Sequence, residues 1–485
     1  KEVEKILAKT KGKKATVSSI KAKRYIQRPP CPFDLTTLQL EAYRTLNISP
    51  KQTLSLAQQI YTSGRISYPR TSSQKLPPSL GYKKLLQRLT KQPEFKVLAE
   101  ELLSKPELNP SEGDKTDPAH PAIYPTGLTF KGSGKIKDLY ELIVRRFLAT
   151  FSDPAKRETV TATIDVNKEN FIAAGTRTVE KGWHKFYGKF ANYKEEELPK
   201  IEEGEEIKVN KIKAHEKEPQ PPKRYTPASV IKELEKKNLG TKATRAQIID
   251  SLYQRHYIQD TSMKVTDLGL KTNNTLQKYC PEIVDEKLTR HFETELEEIR
   301  EKKKKGEKIL EESKTILTKL LKNFKKKELK IGKALIKANY ETQEQNNYLG
   351  ECHVCKKGKL NIKRGKYGFF VSCDRYEEGC KTTFTIPSGS MAKGTGKSCK
   401  DCDYPIIQLI RKGKRPQEIC INTNCKSKKI DKKLLEEKRK CPKCGSELVV
   451  RSSMYGSFFA CPNYPKCRHT ESIEKFNKKV KAKKE

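Results

Sequence analysis

The segment "GRISYPRTSS", residues 64–73, places a tyrosine between two arginines, with a proline beside it and three hydroxyl residues after it. A tyrosine hydroxyl has a pKa of about 10 and is a weak nucleophile, but nearby cations lower that pKa and stabilise charge on a phosphate under attack. Arg65 and Arg70 can supply the cations, and Pro69 fixes the backbone between Tyr68 and Arg70. Tyr68 is therefore a candidate nucleophile, with packing as the alternative in a chain of 20 tyrosines.

The residues around this segment predict helices. From Pro29 to about Pro154, apolar side chains recur at helical spacing, most clearly in "TTLQLEAYRTL" and "PKQTLSLAQQIYTSG". The second stretch stops at Gly64, a residue typical of a helix C-cap. We therefore expect the candidate nucleophile to follow directly on the end of a helix.

The pattern changes to period two between about Arg157 and Pro219. "ETVTATIDV", "NFIAAGT" and "EEIKVNKIKAHE" alternate in this way, which predicts antiparallel strands, and the charged opening residues of the chain are also expected to be strand-like. Helices return after "PQPPKRYT" and continue to about residue 338. Residues 300–335 alternate charge with a Leu and Ile stripe, which favours a long solvated helix packed on one face, with phosphate attraction as an addition.

The charge balance indicates a polyanionic partner. Lys and Arg number 101 against 60 Asp and Glu, a formal net charge of +41, and nucleic acid is the polyanion that such an excess favours. No run approaches the roughly 20 apolar residues that span a bilayer, and no charged-then-apolar leader opens the chain. We expect a soluble, intracellular protein of several domains without membrane contact.

Twelve of the 14 cysteines lie between residues 352 and 467, mostly as C-x-x-C pairs. Each copy of this repeat is a cysteine pair, a strand-like hairpin and a second pair, which can hold one tetrahedral zinc ion with four thiolates and no open position. A redox dithiol role is the alternative. The spacing predicts three structural Zn2+ sites, with these ligands: Cys352, Cys355, Cys373 and Cys380; Cys399, Cys402, Cys420 and Cys425; Cys441, Cys444, Cys461 and Cys467.

Aromatic and basic residues are interleaved on two of the three predicted hairpins, in "KRGKYGFFVSCDRY" and "RSSMYGSFFACPNYPKC". Exposed rings can stack on bases while Lys and Arg pair with phosphates, which is how single strands are held without sequence reading. The alternative is that Phe370 and Phe459 fill the small ribbon cores. The middle copy, "YPIIQLIRKGKRPQEIC", lacks the Gly-aromatic pair.

The sequence resembles type IA DNA topoisomerases over residues from about 20 to 300. The family's signature around its catalytic tyrosine, approximately G-x-I-(S/T)-Y-x-R-T-(D/S)-S, is met by "GRISYPRTSS". Further segments of the family are matched, in family order, by "DKTDPAHPAIYPTG", "LYELIVRRFLATF", "PPKRYTPASVIKELEKKNLGTKATRAQIIDSLYQRHYI", "VTDLG" and "HFETELEEI". Cysteine ribbons often close the chains of this family.

The resemblance implies roles for particular residues. Tyr68 would attack a backbone phosphate to give a 5'-phosphotyrosyl bond and a 3'-hydroxyl, with Arg70 binding the scissile phosphate and His120 holding a neighbouring phosphate or assisting proton movement. The DNA-binding residues would be Arg65, Arg224, Thr244, Arg245 and Arg255. Arg245 departs from many bacterial members, which carry an aromatic residue there. Local roles remain open: His120 could bond a carbonyl, Thr244 could cap a helix, and Arg255 could be a helix-end charge.

The resemblance also implies a multidomain α+β fold, a toroidal type IA topoisomerase core with a hinged gate followed by zinc ribbons. The expected domains are 1–32, part of a β gate domain; 33–155, a helical domain with the active-site tyrosine; 156–219, the remainder of the β gate domain; 220–340, a helical single-strand DNA groove domain; 350–387, 397–430 and 439–472, the zinc ribbons; and 473–485, a basic tail.

Family members place the tyrosine against an amino-terminal Toprim domain that holds Mg2+ with a glutamate and a D-x-D pair. Here "DCD" at 401–403 lies inside a cysteine knuckle, so we expect Mg2+ and the Toprim domain outside these residues, upstream of Lys1. A fragment, a split-gene product and a processed half all remain open. The complete enzyme is expected to be monomeric, cytoplasmic and nucleoid-associated, and to need that domain.

The function that the resemblance implies is relaxation of negatively supercoiled DNA by single-strand passage. No G-x-x-x-x-G-K-(S/T) loop is present, and exchange of one phosphodiester for another needs no ATP. A reverse gyrase is a weaker interpretation. The alternatives from other classes are a non-catalytic zinc-ribbon protein that binds single-stranded nucleic acid, and a tyrosine recombinase, whose tyrosine would lie near the carboxyl end.

Overall fold

The structure is a computed structural model of the 485-residue chain. It describes residues 2–193, 195–366, 368–411, 416–425, 428, 439–453 and 456–472. The predicted basic tail, residues 473–485, lies outside the described residues. By its internal contacts the chain divides into two compact units, Lys1–Lys326 and Lys327–Glu485. Across the described residues, no helix combines the length and apolarity that a membrane crossing requires.

The first unit contains helices and one main sheet. In chain order its elements are α1 Glu2–Thr10, β1 Ala15–Gln27, α2 Leu35–Leu46, α3 Pro50–Thr62, α4 Tyr82–Leu89, α5 Lys96–Leu103, α6 Lys135–Thr150, β2 Ala155–Asp165, β3 Asn170–Glu180, α7 Trp183–Tyr187, β4 Glu206–Ile207, α8 Pro227–Lys236, α9 Arg245–Gln254, β5 Ile258–Gln259, β6 Lys264–Val265, α10 Asp267–Tyr279, α11 Pro281–Val284 and α12 Glu286–Arg300. Helix α13, Gly306–Asn347, begins in this unit.

The main sheet has the order β3-β2-β1-β4 and is antiparallel. It joins a strand from the beginning of the chain to strands at least 128 residues later, since Gln27 pairs with Ala155 and Ala22 with Val160. Two strand predictions were wrong. Residues 2–10 form α1, in which Glu2 and Glu4 lie in the first turn and Lys9 in the last, an order that the helix dipole favours.

The second wrong prediction is the strand "EEIKVNKIKAHE". Only Glu206–Ile207 is a strand, because it pairs with Ala15 and Thr16 alone in the described sheet. Alternation of apolar and charged residues does not form a strand without a neighbouring edge to accept its backbone hydrogen bonds.

A helical core formed by α2 to α6 supports the loop that follows α3. Leu38, Ile60, Leu86 and Phe147 are among its fully buried side chains. Helix α2 begins with a capping box in which Asp34 accepts the Thr37 N–H and Thr37 bonds back to the Asp34 N–H. The loop that carries Tyr68 therefore follows a helix that is packed in a buried core.

The second unit contains three small antiparallel sheets after α13. Its strands are β7 Tyr348–Glu351, β8 Lys359–Gly365, β9 Gly368–Cys373, β10 Thr383–Thr385, β11 Met391–Ser398, β12 Pro405–Ile410, β13 Gln417–Cys420, β14 Val449–Ser453, β15 Gly456–Ala460 and β16 Thr470–Ser472. The sheet orders are β10-β9-β8-β7, β11-β12-β13 and β14-β15-β16. Each predicted copy of the cysteine repeat thus contains a hairpin.

The first two sheets share one hydrophobic core, which includes Val371 and Ile407, whereas the third has its own core around Leu448 and Phe459. The alternative that Phe459 fills a ribbon core holds, because its exposure is 1%. The same alternative does not hold for Phe370. Since side chains alternate along β9, Phe369 packs on the core side with Val371, and Phe370 lies on the other face.

Candidate active site and metal centres

The loop that carries Tyr68 begins where α3 ends. The Gly64 N–H donates to the Tyr61 carbonyl and the Arg65 N–H donates to the Ile60 carbonyl, at 2.8 and 3.1 Å. This is a Schellman motif, and it requires the left-handed backbone of Gly64, whose φ is +72°. The predicted C-cap is confirmed, and it turns the chain so that residue 65 onwards runs away from the helix.

Residues 64–75 run antiparallel to residues 115–126. The Ser67 N–H donates to the Tyr124 carbonyl at 2.9 Å, and the Thr126 N–H donates to the Arg65 carbonyl at 3.0 Å. Further along, the Gln74 N–H donates to the Lys115 carbonyl at 3.0 Å. This ladder brings together two motifs that are about 50 residues apart in sequence.

The ring of Tyr68 is half-buried and contacts the ring of His120, with 4.7 Å between their centroids. The ring of Tyr61 approaches it from the end of α3 at 5.2 Å. The Thr71 hydroxyl donates to the His120 carbonyl at 3.2 Å, which ties the histidine backbone to the tyrosine loop. The structure therefore brings Tyr68 and His120 together; their catalytic roles stay predictions of the resemblance.

Arg65 and Arg70 are both half-buried in the same loop. The Nε atom of Arg70 is inaccessible to solvent and has no hydrogen-bond partner among the described residues. A buried guanidinium N–H without an acceptor is costly, and a phosphate oxygen is an acceptor that would satisfy it. Arg70 therefore has the chemistry of an anion-binding residue.

Asp117 organises this site, and the sequence analysis missed it. Its carboxylate accepts the N–H groups of Ser72 and Ala119 at 3.1 and 3.0 Å and that of His120 at 3.3 Å. It also accepts the Ser72 hydroxyl at 3.0 Å and pairs with the Lys242 ammonium. Burial alone would raise the pKa of Asp117, but Lys242 and these N–H donors hold that pKa well below its usual range.

We expect Asp117→Asn to lower the free energy of unfolding at pH 7 by about 2 kcal/mol. The buried Asp117 side chain would lose the charge that pairs with the half-buried Lys242 ammonium, and three N–H donors would lose a charged acceptor. A carboxylate with a depressed pKa stabilises the fold above its unfolded pKa of about 3.9 and loses this effect as pH falls. The difference in free energy of unfolding between the wild type and Asp117→Asn should therefore become smaller below about pH 5. Urea denaturation at several pH values measures it.

The matched control is Asp114→Asn, which changes an exposed carboxylate three residues away. It should leave the free energy of unfolding within about 0.5 kcal/mol of wild type. An equal loss in both variants, or a deficit for Asp117→Asn that is the same at pH 3 as at pH 7, would contradict the role assigned to Asp117.

The remaining predicted DNA-binding residues lie around α8 and α9. Arg224 is exposed just before α8, and Arg255 is exposed at the end of α9. Thr244 is exposed at the N-cap position of α9, and its hydroxyl accepts the Thr241 N–H at 2.9 Å. Because Lys242 reaches Asp117, the turn before α9 lies beside the tyrosine loop.

Arg245 differs from this group. It is 7% exposed, its Nε donates to the Leu239 carbonyl at 3.0 Å, and burial lowers the pKa of its guanidinium. A stripe of alternating polar and apolar residues at a helix start could not reveal that this arginine points inward. Contact between Arg245 and DNA stays a prediction, and the bond to Leu239 shows that the side chain already has an internal role.

The twelve predicted cysteine ligands form three clusters, each with its four sulfur atoms within 4.8 Å of one another. Within each cluster, Sγ atoms of the first cysteine pair lie close to Sγ atoms of the second pair. These Sγ–Sγ distances are 3.8 and 3.7 Å in the first cluster, 3.7 and 3.5 Å in the second, and 3.7 and 3.2 Å in the third. These exceed a disulfide bond of about 2.05 Å and approach the roughly 3.8 Å edge of a tetrahedron with 2.3 Å Zn–S bonds. The clusters therefore fit three four-thiolate zinc sites.

Backbone amides also prepare the sulfur atoms for a cation. The N–H of Lys357 and that of Gly358 lower the pKa of Cys355 to about 6, and the N–H and hydroxyl of Ser446 do the same for Cys444. Burial instead raises the pKa of Cys373 to about 12. A bound divalent metal would compensate that burial, because the thiolate is the form that ligates.

A fourth group, His291, Glu295 and Glu312, also lies within ligand distance of one point. His291 pairs with Glu312 at 2.9 Å, and Glu295 pairs with Lys304. Lys304 and His291 already contact the two carboxylates, so the group is accounted for by contacts among these side chains.

Two family profiles match the chain. The profile described as DNA topoisomerase matches residues 1–311, and the profile described as topoisomerase DNA binding C4 zinc finger matches residues 349–389 and 438–476. These two ranges contain the first and third cysteine clusters. The second cluster lies between them.

Curated relatives give the same result. DNA topoisomerase 1 of Methanocaldococcus jannaschii is 46% identical over 98% of this chain and 62% of its own length. DNA topoisomerase 1 of Methanothermobacter thermautotrophicus is 41% identical over 97% of this chain and 64% of its own length. The chain thus spans somewhat less than two thirds of the length of these relatives.

A solved structure is also similar. Full-length topoisomerase I from Thermotoga maritima superposes with a TM-score of 0.50 at 25% identity, over 80% of this chain and 62% of that one.

Proposed function

We propose, because this chain belongs to the type IA DNA topoisomerase family, that it cleaves and rejoins one DNA strand through Tyr68. The observation that carries the proposal is the contact between the Tyr68 and His120 rings beside the unsatisfied Nε of Arg70. The strand passed through the break would relax negatively supercoiled DNA, and supercoil strain rather than ATP would drive it.

The reaction replaces one phosphodiester, within the DNA strand, by another between the DNA and Tyr68. The Tyr68 Oη attacks the scissile phosphorus, the bond from phosphorus to the 3' oxygen breaks, and a 5'-phosphotyrosyl bond forms as the proton of the phenol is passed on to leave a 3'-hydroxyl. Arg70 would neutralise the phosphate, because a charge-assisted donor is stronger than a neutral one. His120 would hold a neighbouring phosphate or assist the proton, and religation is the same exchange in reverse.

Mg2+ does not fit at Asp117, the carboxylate that bonds to both the tyrosine loop and the His120 backbone. Asp117 already accepts the Ser72, Ala119 and His120 N–H groups and pairs with Lys242, so its oxygens are not available as metal ligands. We propose that a Toprim domain supplies the Mg2+ carboxylates, as the sequence resemblance implies, and that strand cleavage depends on it.

The same proposal assigns roles to the main sheet and to the exposed residues around α8 and α9. The β1–β3 sheet would belong to the gate domain, and the exposed Arg224, Thr244 and Arg255 would lie along the single-strand groove. The net charge of +41 suits DNA as the substrate and the nucleoid in the cytoplasm as the location. The complete enzyme would act as a monomer.

Covalent capture tests the proposal. The chain is mixed with a single-stranded oligonucleotide labelled along its 3' portion, with and without Mg2+ and a separately supplied Toprim domain, and the mixture is denatured with detergent. We expect label on the protein only when both are added, and peptide mapping should place it on Tyr68. Tight binding without any covalent product would favour the non-catalytic single-strand binding protein instead.

A further inference from the structure

We propose that the exposed lysine ridge of α13 binds the phosphate backbone of duplex DNA. The ridge consists of Lys314, Lys319, Lys322 and Lys326, with Thr315, Thr318 and Asn323 between them. These residues line one shallow surface groove on the helix. The proposal rests on the proposed function only in taking DNA as the polyanion.

The charge of this segment is unbalanced. Residues 313–327 contain six lysines and no Asp or Glu, whereas the helix holds acids on either side, at Glu312 and Glu328. The four ridge lysines are exposed, and none has an acidic partner within the described helix. Lysines three and four residues apart repel one another, so the free helix is destabilised along this face unless an anion neutralises it.

The ridge lies on an exposed face of α13. On the other side of this stretch Ile316, Leu320 and Phe324 are half-buried, whereas Leu317 and Leu321 are 55% and 58% exposed. A helix that was merely solvated would carry both charge signs on its outer face. The single sign along this stretch indicates a polyanionic partner.

Duplex DNA fits the ridge better than a single strand. From Lys314 to Lys326 the helix extends about 18 Å, at roughly 1.5 Å for each residue. Over that length a duplex presents about ten phosphate charges and one strand about half as many. The seven ridge residues include no aromatic ring on which unpaired bases could stack, so the contact would be with phosphate alone.

The ridge lies between the two family profiles: the DNA topoisomerase profile ends at residue 311, and the zinc-finger profile begins at residue 349. It is therefore a separate surface from the tyrosine loop and from the cysteine clusters.

The test uses the full chain and fluorescence anisotropy with a blunt 20-base-pair duplex between 50 and 200 mM salt. Substituting the four ridge lysines with Gln should reduce the slope of log affinity against log salt by about 3 to 4, since each phosphate contact contributes about 0.9. The matching Lys→Arg set should retain the wild-type slope. For an unpaired oligonucleotide of the same sequence, the Gln set should change the slope by less than half as much.

The control removes the same charge elsewhere, by substituting the exposed Lys83, Lys84, Lys91 and Lys131 with Gln. It should change the duplex slope by less than about 1. A wild-type slope in the ridge variant, an equal reduction in the control, or a loss confined to single strands would each overturn the proposal. Covalent capture at Tyr68 is scored separately on the wild-type chain, so failure of the tyrosine chemistry would leave the ridge result standing.

Discussion

Tyr68→Phe is expected to abolish the covalent protein–DNA complex completely. The substitution removes the Oη that we propose as the nucleophile and keeps the ring, so the contacts with His120 and Tyr61 remain. Affinity for a single-stranded oligonucleotide should stay within about two-fold of wild type, because the phosphate-binding cations are unchanged. Detergent-resistant label and relaxation of a negatively supercoiled plasmid, both with Mg2+ and the Toprim domain supplied, measure the effect.

The control is Tyr25→Phe, which removes the hydroxyl of a tyrosine exposed on β1. This variant should form the complex as the wild type does. Label that persists on Tyr68→Phe would show that another residue is the nucleophile. Loss of binding together with loss of label would show that the substitution disturbs the loop, and the interpretation of Tyr68 as the nucleophile would then need the peptide map.

Local patterns predicted the parts of the molecule that local chemistry determines. The C-x-x-C pairs predicted the three clusters because two thiolates in one knuckle already share a ligand geometry. The end of α3 was predicted because Gly64 supplies the left-handed backbone that the chain needs there. The Tyr68 loop was found through its dense pattern of arginine, proline and hydroxyl residues.

Contacts between segments that are distant in the chain could not be predicted from the sequence. Asp117 and Lys242 are 125 residues apart, and nothing in either local pattern shows that they form one ion pair. The same reason explains α1 and β4: whether a charged alternating run becomes a strand depends on which edge is available to pair with it. Arg245 is a local case: its Nε donates to the Leu239 carbonyl six residues earlier, and the sequence pattern did not show that this side chain is buried.

Removal of zinc is expected to unfold the cysteine ribbons and leave the first unit folded. Structural zinc contributes about 10–16 kcal/mol to small domains of this kind, far more than the ribbon cores can supply without it. Treatment with a strong chelator should release three zinc ions per chain, measured by metal analysis. Amide exchange should then become fast across residues 349–472, whereas α2 to α6 keep their protection.

Two cysteine variants sharpen this prediction, because the first two sheets share a core and the third has its own. Cys399→Ser should lose one zinc ion and should also increase amide exchange in β8 and β9, since Ile407 and Ile421 pack against Leu360 and Val371. Cys441→Ser should also lose one zinc ion, but its effect should be confined to β14–β16. Fast exchange in β8 and β9 of Cys441→Ser, or full protection there in Cys399→Ser, would contradict the shared core. The pair thus separates two roles of the metal: each ion closes its own four-sulfur site, and the second ion also stabilises the neighbouring ribbon through apolar contacts.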